Sequence, residues 1–202
     1  MTDPGPKGVR GFKTQGDLRA WLEKHHDLRD ELWIKVFKKH TKKPSVTWNE
    51  IVLESLCWGW IDGVKKSLDD EAYLQRITPR KPGSAWSKRN TEHVDRLIKE
   101  GRMQKSGLQQ VEAAKADGRW ESAYKPASEM KVPQDFLAAV AKNKKRKQFY
   151  DSLNKSSRYA IAYGLETAKK PETRERRFKK FIDMLTRTEE PGFGFKKKSR
   201  QR

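Results

Sequence analysis

The most informative stretch of the chain is residues 56–90, LCWGWIDGVKKSLDDEAYLQRITPRKPGSAWSKRN. It holds three of the seven tryptophans, and one carboxylate, Asp62, lies among them. Apolar and polar side chains alternate over residues 60–68 and 72–80, which predicts two strands around an acidic turn. Bulky aromatic side chains next to glycines and a carboxylate indicate a pocket or a tightly packed junction.

Two helices are predicted before this hairpin, each with a capping signal. Thr14 begins a capping-box-like start in which Asp17 takes the place of the usual glutamate. Thr47 and Glu50 form a second capping box, for a helix that runs to about Trp58. Residues 31–39 between them alternate and predict a strand, with an apolar face made of Leu32, Ile34 and Val36.

After Pro82-Gly83 the hydrophobic pattern changes to a period of 3.6 residues, which is typical of helices. The predicted helix starts are Ser87 or Asn90, Gly107, Pro133, Asn143, Ser156 or Ser157, and Glu172. Pro171 is expected to break the chain before the last of these helices.

These elements predict an α+β fold. A small antiparallel three-stranded sheet with two helices occupies the N-terminal half, and a mainly helical C-terminal half packs on it. We expect residues 1–13 to be a flexible lead and residues 187–202 a disordered basic tail. Residues 14–186 are predicted to form a single domain, with a sheet-containing part over 14–82 and a helical part over 83–186.

The charge is strongly basic and uneven. Lys and Arg number 46 against 27 Asp and Glu, a net charge of +19, and residues 121–202 alone carry 22 basic and 10 acidic residues. Such an excess attracts polyanions, although many of these side chains could equally serve to solvate helices. The candidates for following a nucleic-acid backbone are Lys144, Lys145, Arg146, Lys147, Lys169, Arg174 and Arg177.

Features that the sequence lacks indicate the cellular compartment of the protein. Cys57 is the single cysteine, so no intramolecular disulfide can form, which fits a reducing compartment. No apolar run is long enough to span a bilayer, and the first residues lack the apolar core of a secretion signal. We therefore expect a cytoplasmic protein, or a nuclear one in a eukaryotic source, that is not secreted.

The sequence carries few signatures of catalytic chemistry. The four histidines have no partner at metal-ligand spacing, and one cysteine cannot build a zinc site. The chain has no Gly-x-Ser-x-Gly elbow and no phosphate-binding Gly-Lys-Ser/Thr loop. We predict no metal and no cofactor, and a non-enzymatic role is favoured over catalysis.

A polar cluster among the aromatic side chains is the candidate binding site. Arginine, hydroxyl and amide groups just before a helix N-terminus could hold a phosphate or a carboxylate. Ordinary helix capping, with Trp86 as a core residue, explains the same pattern equally well. The predicted ligand-binding residues are Trp60, Asp62, Arg80, Ser84, Trp86, Ser87 and Asn90.

Asp62 follows large apolar residues, so if it is partly buried it needs a partner or a raised pKa. Arg76 and Arg80 on the next strand are the predicted partners. A structural ion pair or turn cap is favoured over a role as a pocket acid, and Asp62 is the only candidate for acid or base catalysis.

Several short motifs together resemble the YdeI/OmpD-associated (bacteriocin-protection) family over roughly residues 12–185. They are Trp21-Leu22, Glu31-Leu32-Trp33, Gly59-Trp60-Ile61-Asp62, Thr78-Pro79-Arg80, Ser84-Ala85-Trp86-Ser87 with Asn90, Gly101-Arg102-Met103, Ala113-Ala114-Lys115, Asp117-Gly118-Arg119-Trp120, Ala168-Lys169 and Glu172-Thr173-Arg174. The resemblance implies protection against peptide antibiotics and association with an outer-membrane porin. It implies no reaction and no catalytic residue, and residues 144–147 are more basic than the family pattern.

Three functions follow as hypotheses. The first is a non-enzymatic stress or antimicrobial protection protein that binds a small anionic ligand or a peptide in an aromatic-lined cleft. The second is nonspecific nucleic-acid binding by the basic C-terminal third. The third is an enzyme that uses Asp62 as an acid or base.

Overall fold

The computed structural model describes residues 8–126 and 129–192 and confirms the α+β class. The chain divides into two compact units, Met1–Ala123 and Tyr124–Arg202. The sequence placed the change from a sheet-containing part to a helical part between residues 82 and 83. The two units divide later, between residues 123 and 124. The helices between residues 88 and 116 belong to the first unit because their apolar side chains, such as Val94 and Val111, enter the core beneath the sheet.

The sheet has four strands, one more than predicted: β1 (Val9–Gly11), β2 (Leu32–Phe37), β3 (Trp60–Ser67) and β4 (Ala72–Pro79). Their order is β1-β2-β4-β3, and only β1 runs parallel to its neighbour, β2. β1 lies inside the predicted flexible lead. Three residues give no periodicity from which a strand could be recognised, and the order comes from pairing Val9 with Trp33 in β2.

Four helices complete the first unit: α1 (Gln15–His25), α2 (Trp48–Cys57), α3 (Lys88–Lys99) and α4 (Lys105–Ala116). Both predicted capping boxes are confirmed, at Thr14 with Asp17 and at Thr47 with Glu50. Ser87, and not Asn90, caps α3. The core beneath the sheet includes Leu22, Ile34, Ile51, Ile77 and Leu97, each fully buried.

A buried carboxylate ties this unit together. Glu54 in α2 is only 1% exposed. Arg102 Nη2, in the loop before α4, donates to its Oε1 at 2.6 Å, and Gln15 Nε2 of α1 does so at 2.8 Å. Arg19 Nη1 of α1 lies 3.4 Å from Oε2. A buried charge is tolerated only when it is paired, so these contacts fix α1 and the α3–α4 loop against α2.

The end of α2 and the start of α4 approach each other closely because two glycines meet there. A Cβ on Gly107 would lie 2.2 Å from the carbonyl oxygen of Cys57. Gly59 has a φ of +74°, and a Cβ there would lie 2.8 Å from the carbonyl oxygen of Ser106. Only glycine fits at either position, and at Gly59 the positive φ adds to the requirement.

The second unit contains α5 (Gln134–Ala141), α6 (Lys144–Asp151), α7 (Lys155–Glu166) and α8 (Pro171–Thr186). It has its own apolar core, which includes Phe136, Val140, Ile161, Leu165 and Phe181. Asn143 caps α6 as predicted, but Asn154 caps α7 in place of Ser156 or Ser157. Pro171 occupies the first turn of α8, where its missing N–H costs no hydrogen bond.

The chain remains ordered beyond α8, inside the predicted disordered tail. Glu189 N–H donates to the carbonyl oxygen of Met184 at 2.8 Å, and Thr188 N–H donates to that of Leu185 at 3.2 Å. This pair of bonds is a Schellman motif, with Thr188 at a φ of +53°. Residues 193–202 of the predicted tail and residues 1–7 of the predicted lead lie outside the described residues. Within the described ranges, no helix combines the length and apolarity needed to cross a bilayer.

Gly107→Ala tests the close approach of α2 and α4. In an ordinary helix this change would stabilise by about 0.5–1 kcal/mol, but here the added Cβ overlaps the Cys57 carbonyl, and we expect destabilisation by about 1–3 kcal/mol. Gly16→Ala is the matched control, because its Cβ would meet only Thr14 Oγ1 at 3.7 Å. Urea unfolding measures both. Equal effects of the two changes would contradict the proposed contact.

Glu54→Gln tests the buried carboxylate. The change removes the counter-charge of Arg19 and leaves Arg102 with its 3.3 Å pair to Glu100, and the two arginine side chains are 35% and 30% exposed. We therefore expect a loss of roughly 2–3 kcal/mol in the free energy of unfolding, below the ~3–5 kcal/mol of a fully buried pair. Glu112→Gln, on the exposed face of α4, should change it by less than about 0.5 kcal/mol. A Glu54→Gln protein as stable as that control would refute the role of the carboxylate.

Candidate functional site

A cleft of about 440 Å³ lies beside Trp60 in the first unit. It opens where the end of α2 and the start of β3 meet the end of β4 and the N-terminus of α4. The residues that line it, here named the Trp60 cleft, are His26, Asp27, Trp58, Gly59, Trp60, Pro79, Arg80, Lys105, Ser106, Gln109 and Gln110. Of the predicted ligand-binding residues, only Trp60 and Arg80 belong to this set.

Trp60 forms a fixed wall of the cleft. Its side chain is 1% exposed, and its Nε1–H donates to the carbonyl oxygen of His26 at 3.1 Å. Its ring meets that of Trp21 edge to face, with centroids 6.3 Å apart. The ring is therefore held by α1 on one side, and the segment after α1 is held in turn by the indole N–H.

Trp58 lines the cleft and carries a buried indole N–H that lacks a partner within the described ranges. Its side chain is 7% exposed, and its ring lies 4.6 Å from that of His26. Within the described part of the chain, its Nε1–H has no hydrogen-bond acceptor. Because buried polar groups in native proteins are almost always satisfied, this donor calls for an explanation.

The groups around Trp58 favour negative charge. α4 begins without a side-chain cap, so no side chain neutralises its first-turn N–H groups, which form the positive end of the helix dipole. Lys105 stands at that end, and Ser106 Oγ is used internally, donating to the carbonyl oxygen of Trp58 at 3.1 Å. Asp27 supplies one opposing carboxylate.

His26 has a defined tautomer when it is neutral. Its Nδ1 lies 3.0 Å from the carbonyl oxygen of Leu22, which can only accept, so Nδ1 carries the proton. Nε2 is then an acceptor in the neutral ring and a donor in the cation. The histidine can thus meet either a hydroxyl or an anion.

Arg80 serves mainly to hold the loop that follows β4. The side chain is 5% exposed, its Cζ lies 3.6 Å from the centroid of the Trp86 ring, and Nη1 donates to the carbonyl oxygen of Ala85 at 3.2 Å. Trp86 is 2% exposed and packs on Trp120 at 5.0 Å between centroids. Trp86 is therefore a core residue, as the alternative interpretation of the sequence had it.

The remaining residues of the predicted cluster have structural contacts through Ser87 Oγ and through backbone atoms of Ser84 and Asn90. Arg119 Nη1 donates to the carbonyl oxygen of Ser84 at 2.9 Å, while its Nε binds the Asp117 carboxylate at 2.6 Å. Ser87 Oγ accepts from the backbone N–H of Asn90 at 3.1 Å and so caps α3. The sequence pattern identified a tightly organised loop, and the structure places the cleft next to it.

Asp62 lies outside the set that lines the cleft, and its predicted partners are engaged elsewhere. Its Oδ2 accepts from Nε1 of Trp48 at 3.2 Å. In the ladder Asp62 is opposite Ile77, so Arg76 lies on the other face of the sheet, where its Nε pairs with Glu31 at 2.6 Å. The predicted pair with Arg76 is therefore wrong, and the contact that Asp62 makes is a hydrogen bond from Trp48 in place of the ion pair or turn cap that the sequence favoured.

The predicted nucleic-acid residues divide into two groups. Three arginines bind within the second unit: Arg174 binds Asp135 at 2.8 Å, Arg177 donates to the carbonyl oxygen of Gly164 at 2.9 Å, and Arg146 donates to that of Ala139. Lys147 pairs with Asp151 at 2.5 Å. Lys144, Lys145 and Lys169 are exposed.

Besides Trp58, the cleft residues that the sequence did not identify include His26, Asp27, Lys105, Ser106, Gln109 and Gln110. They come from two segments about 80 positions apart, and neither segment carries a recognisable motif. Over the residues that the structure describes, no group of three His, Cys, Asp or Glu side chains could hold a metal ion. The cleft is thus a site of neutral donors and a few charges.

Comparison with known proteins gives two family matches. A model described as a domain of unknown function, DUF8412, matches residues 10–110, half of the chain. A model described as bacteriocin-protection, YdeI or OmpD-associated matches residues 129–188. Searches of curated proteins and of solved structures found no match.

The expected resemblance to the YdeI/OmpD-associated family is therefore confirmed, but for the C-terminal segment only. Of the motifs that suggested it, Ala168-Lys169 and Glu172-Thr173-Arg174 fall within residues 129–188. The motifs from Trp21 to Met103 fall within the match to the domain of unknown function.

The buried thiol of Cys57, at the end of α2, tests whether this part of the core excludes solvent. The pKa of this thiol is raised to about 11, chiefly by burial and also by the charge of Glu54, while Arg102 and Arg19 oppose the shift. At pH 8 the folded protein then has about 100-fold less thiolate than an unfolded chain. We expect iodoacetamide to alkylate the native protein at least 100-fold more slowly than the protein in guanidinium, followed by mass spectrometry.

The same shift has a defined effect on stability. The unfolded thiol ionises near pH 9 and the folded one near pH 11, so the contribution of this thiol to the free energy of unfolding is present below pH 9 and is lost as the pH rises toward 11.

In the alkylation experiment, equal rates in the folded and unfolded protein would show that the thiol is accessible.

Proposed function

We propose a binding function for this chain, which belongs to the family of the domain of unknown function DUF8412: it holds a small anionic ligand, without catalysis, in the Trp60 cleft. The single observation that carries the proposal is the buried Nε1–H of Trp58, a residue that lines the cleft, which has no hydrogen-bond acceptor among the described residues. A bound acceptor would satisfy that donor.

The charge around Trp58 supports an anion in preference to a cation. Lys105 and Ser106 of the uncapped first turn of α4 and His26 all line the same cleft. Helix N-termini that carry a nearby cation are favourable places for phosphate and carboxylate groups. The opposing Asp27 favours a small ligand with one or two charges over a polyanion.

Arg80 has a supporting role in this proposal. Its guanidinium is committed to Trp86 and to the Ala85 carbonyl, so it keeps the loop and the rim of the cleft in place. This assignment replaces the direct anion contact that the sequence suggested. Catalysis by Asp62 has no support, because Asp62 binds Trp48 and is not among the residues that line the cleft.

The C-terminal segment adds the family-level expectation of bacteriocin protection, which is what the name of its family model states. A protective role that operates through ligand binding is consistent with that name. Nonspecific nucleic-acid binding is the weaker alternative. It rests on the charge of the second unit alone, and four of its seven predicted cations bind within that unit. The cytoplasmic location expected from the sequence stays a prediction.

Calorimetric titration with inorganic phosphate, benzoate and adenosine monophosphate tests the cleft. We expect saturable binding of at least one of these ligands, weakened about tenfold or more by Lys105→Ala, because a charge-assisted hydrogen bond is lost. Trp58→Phe should also weaken it, because the ring remains and the N–H does not.

Lys99→Ala is the matched control, an exposed lysine at the end of α3. It should leave affinity within about twofold, because the effect of a remote exposed charge is screened. Saturable binding that Lys99→Ala and Lys105→Ala reduce equally would contradict the site, as would a folded protein that binds none of the three ligands.

A further inference from the structure

The second unit contains a groove of its own, of about 590 Å³, within the range typical of small-molecule sites. Its apolar surface comes from Met130 and Val132 before α5, Leu137 of α5, Tyr150 of α6 and Tyr159 of α7. Four of these five side chains are only half-buried, and Met130 is 9% exposed. The groove thus offers apolar surface to a ligand.

Three cations stand along the same groove: Lys131, Lys155 and Arg158. No carboxylate is among its lining residues, unlike in the Trp60 cleft. Lys155 is the first residue of α7, so its ammonium adds to the positive end of that helix. Within the described residues, Lys131 and Lys155 have no ion-pair partner.

Arg158 is held in position by two contacts. Its Nη2 donates to the carbonyl oxygen of Asp151 at 2.8 Å, and its Cζ lies 5.4 Å from the centroid of the Tyr150 ring. Burial raises the pKa of Tyr150 and of Tyr159, so both phenols are neutral near pH 7 and can act as donors. Arg158 is therefore held beside the Tyr150 ring of the apolar floor.

We propose that this groove binds an amphipathic organic anion, an apolar chain or ring that ends in one carboxylate. The apolar part would cover Val132, Leu137 and the tyrosine rings, and the carboxylate would meet Lys155 and Lys131. A bare phosphate or a nucleic-acid backbone would leave the apolar floor exposed, and a neutral apolar molecule would leave the cations unmatched. This inference is independent of the Trp60 cleft.

Octanoate, titrated into the full chain below its micelle-forming concentration, is the probe. We expect saturable binding that strengthens several-fold from hexanoate to octanoate, because two more methylenes are buried. Octanol, which has the tail without the charge, and acetate, which has the charge without the tail, should each bind at least about tenfold more weakly. Equal binding of octanol or of acetate would overturn the proposal.

Matched variants locate the site. Lys155→Ala should weaken octanoate about tenfold, whereas Lys145→Ala, an exposed cation of α6 outside the groove, should change it less than about twofold. Lys105→Ala, in the Trp60 cleft, should have no effect. Loss of octanoate binding in Lys105→Ala would assign the ligand to the other unit, and equal losses in Lys145→Ala and Lys155→Ala would mean attraction by the general surface charge. Either result, or no saturable binding, overturns the proposal.

Discussion

The buried carboxylate of Glu54 is the interaction on which the first unit depends. A charge that is 1% exposed is costly unless charged and polar donors surround it, and Gln15, Arg19 and Arg102 supply those donors. All three donors lie outside α2, the helix that carries Glu54. The need to satisfy one carboxylate therefore sets the relative positions of α1, α2 and the loop before α4.

The Trp60 cleft follows from that arrangement. With α4 brought against the end of α2, Gly59 and Gly107 let the two backbones approach to a distance that no side chain would allow. The uncapped first turn of α4 then lies along a wall made by Trp58 and Trp60. The cleft exists because a helix start is packed against aromatic rings without a capping side chain of its own.

Arginine has a structural use in both units, which changes the meaning of the high net charge. Arg80 and Arg119 bind carbonyl oxygens of the loop before α3, and Arg146 and Arg177 bind carbonyl oxygens near the C-terminal ends of α5 and α7. Cations are favourable at helix C-termini because the last carbonyls lack partners there. Part of the basic excess therefore holds the fold together, and the exposed lysines and arginines carry the remainder of the field.

Local chemistry made much of the fold predictable from sequence. The capping boxes at Thr14 and Thr47, the alternation in β2 and the hairpin from Trp60 to Pro79 all act within a few residues, so they can be read directly. Features that join distant segments could not be read. β1 is too short to show a period, and the pattern cannot tell which helices share the core of Leu97 and which share that of Phe136.

The candidate site shows the same division. The sequence by itself determined the α+β class, most helix and strand positions and the crowded aromatic region around Trp60 and Trp86. Only the tertiary structure decided that Arg80 holds a loop, that Asp62 binds Trp48, and that His26 and Lys105 share a cleft. The reason is physical: a side chain's propensity is set by its neighbours in sequence, whereas its partner is set by which backbones pack close enough to offer one.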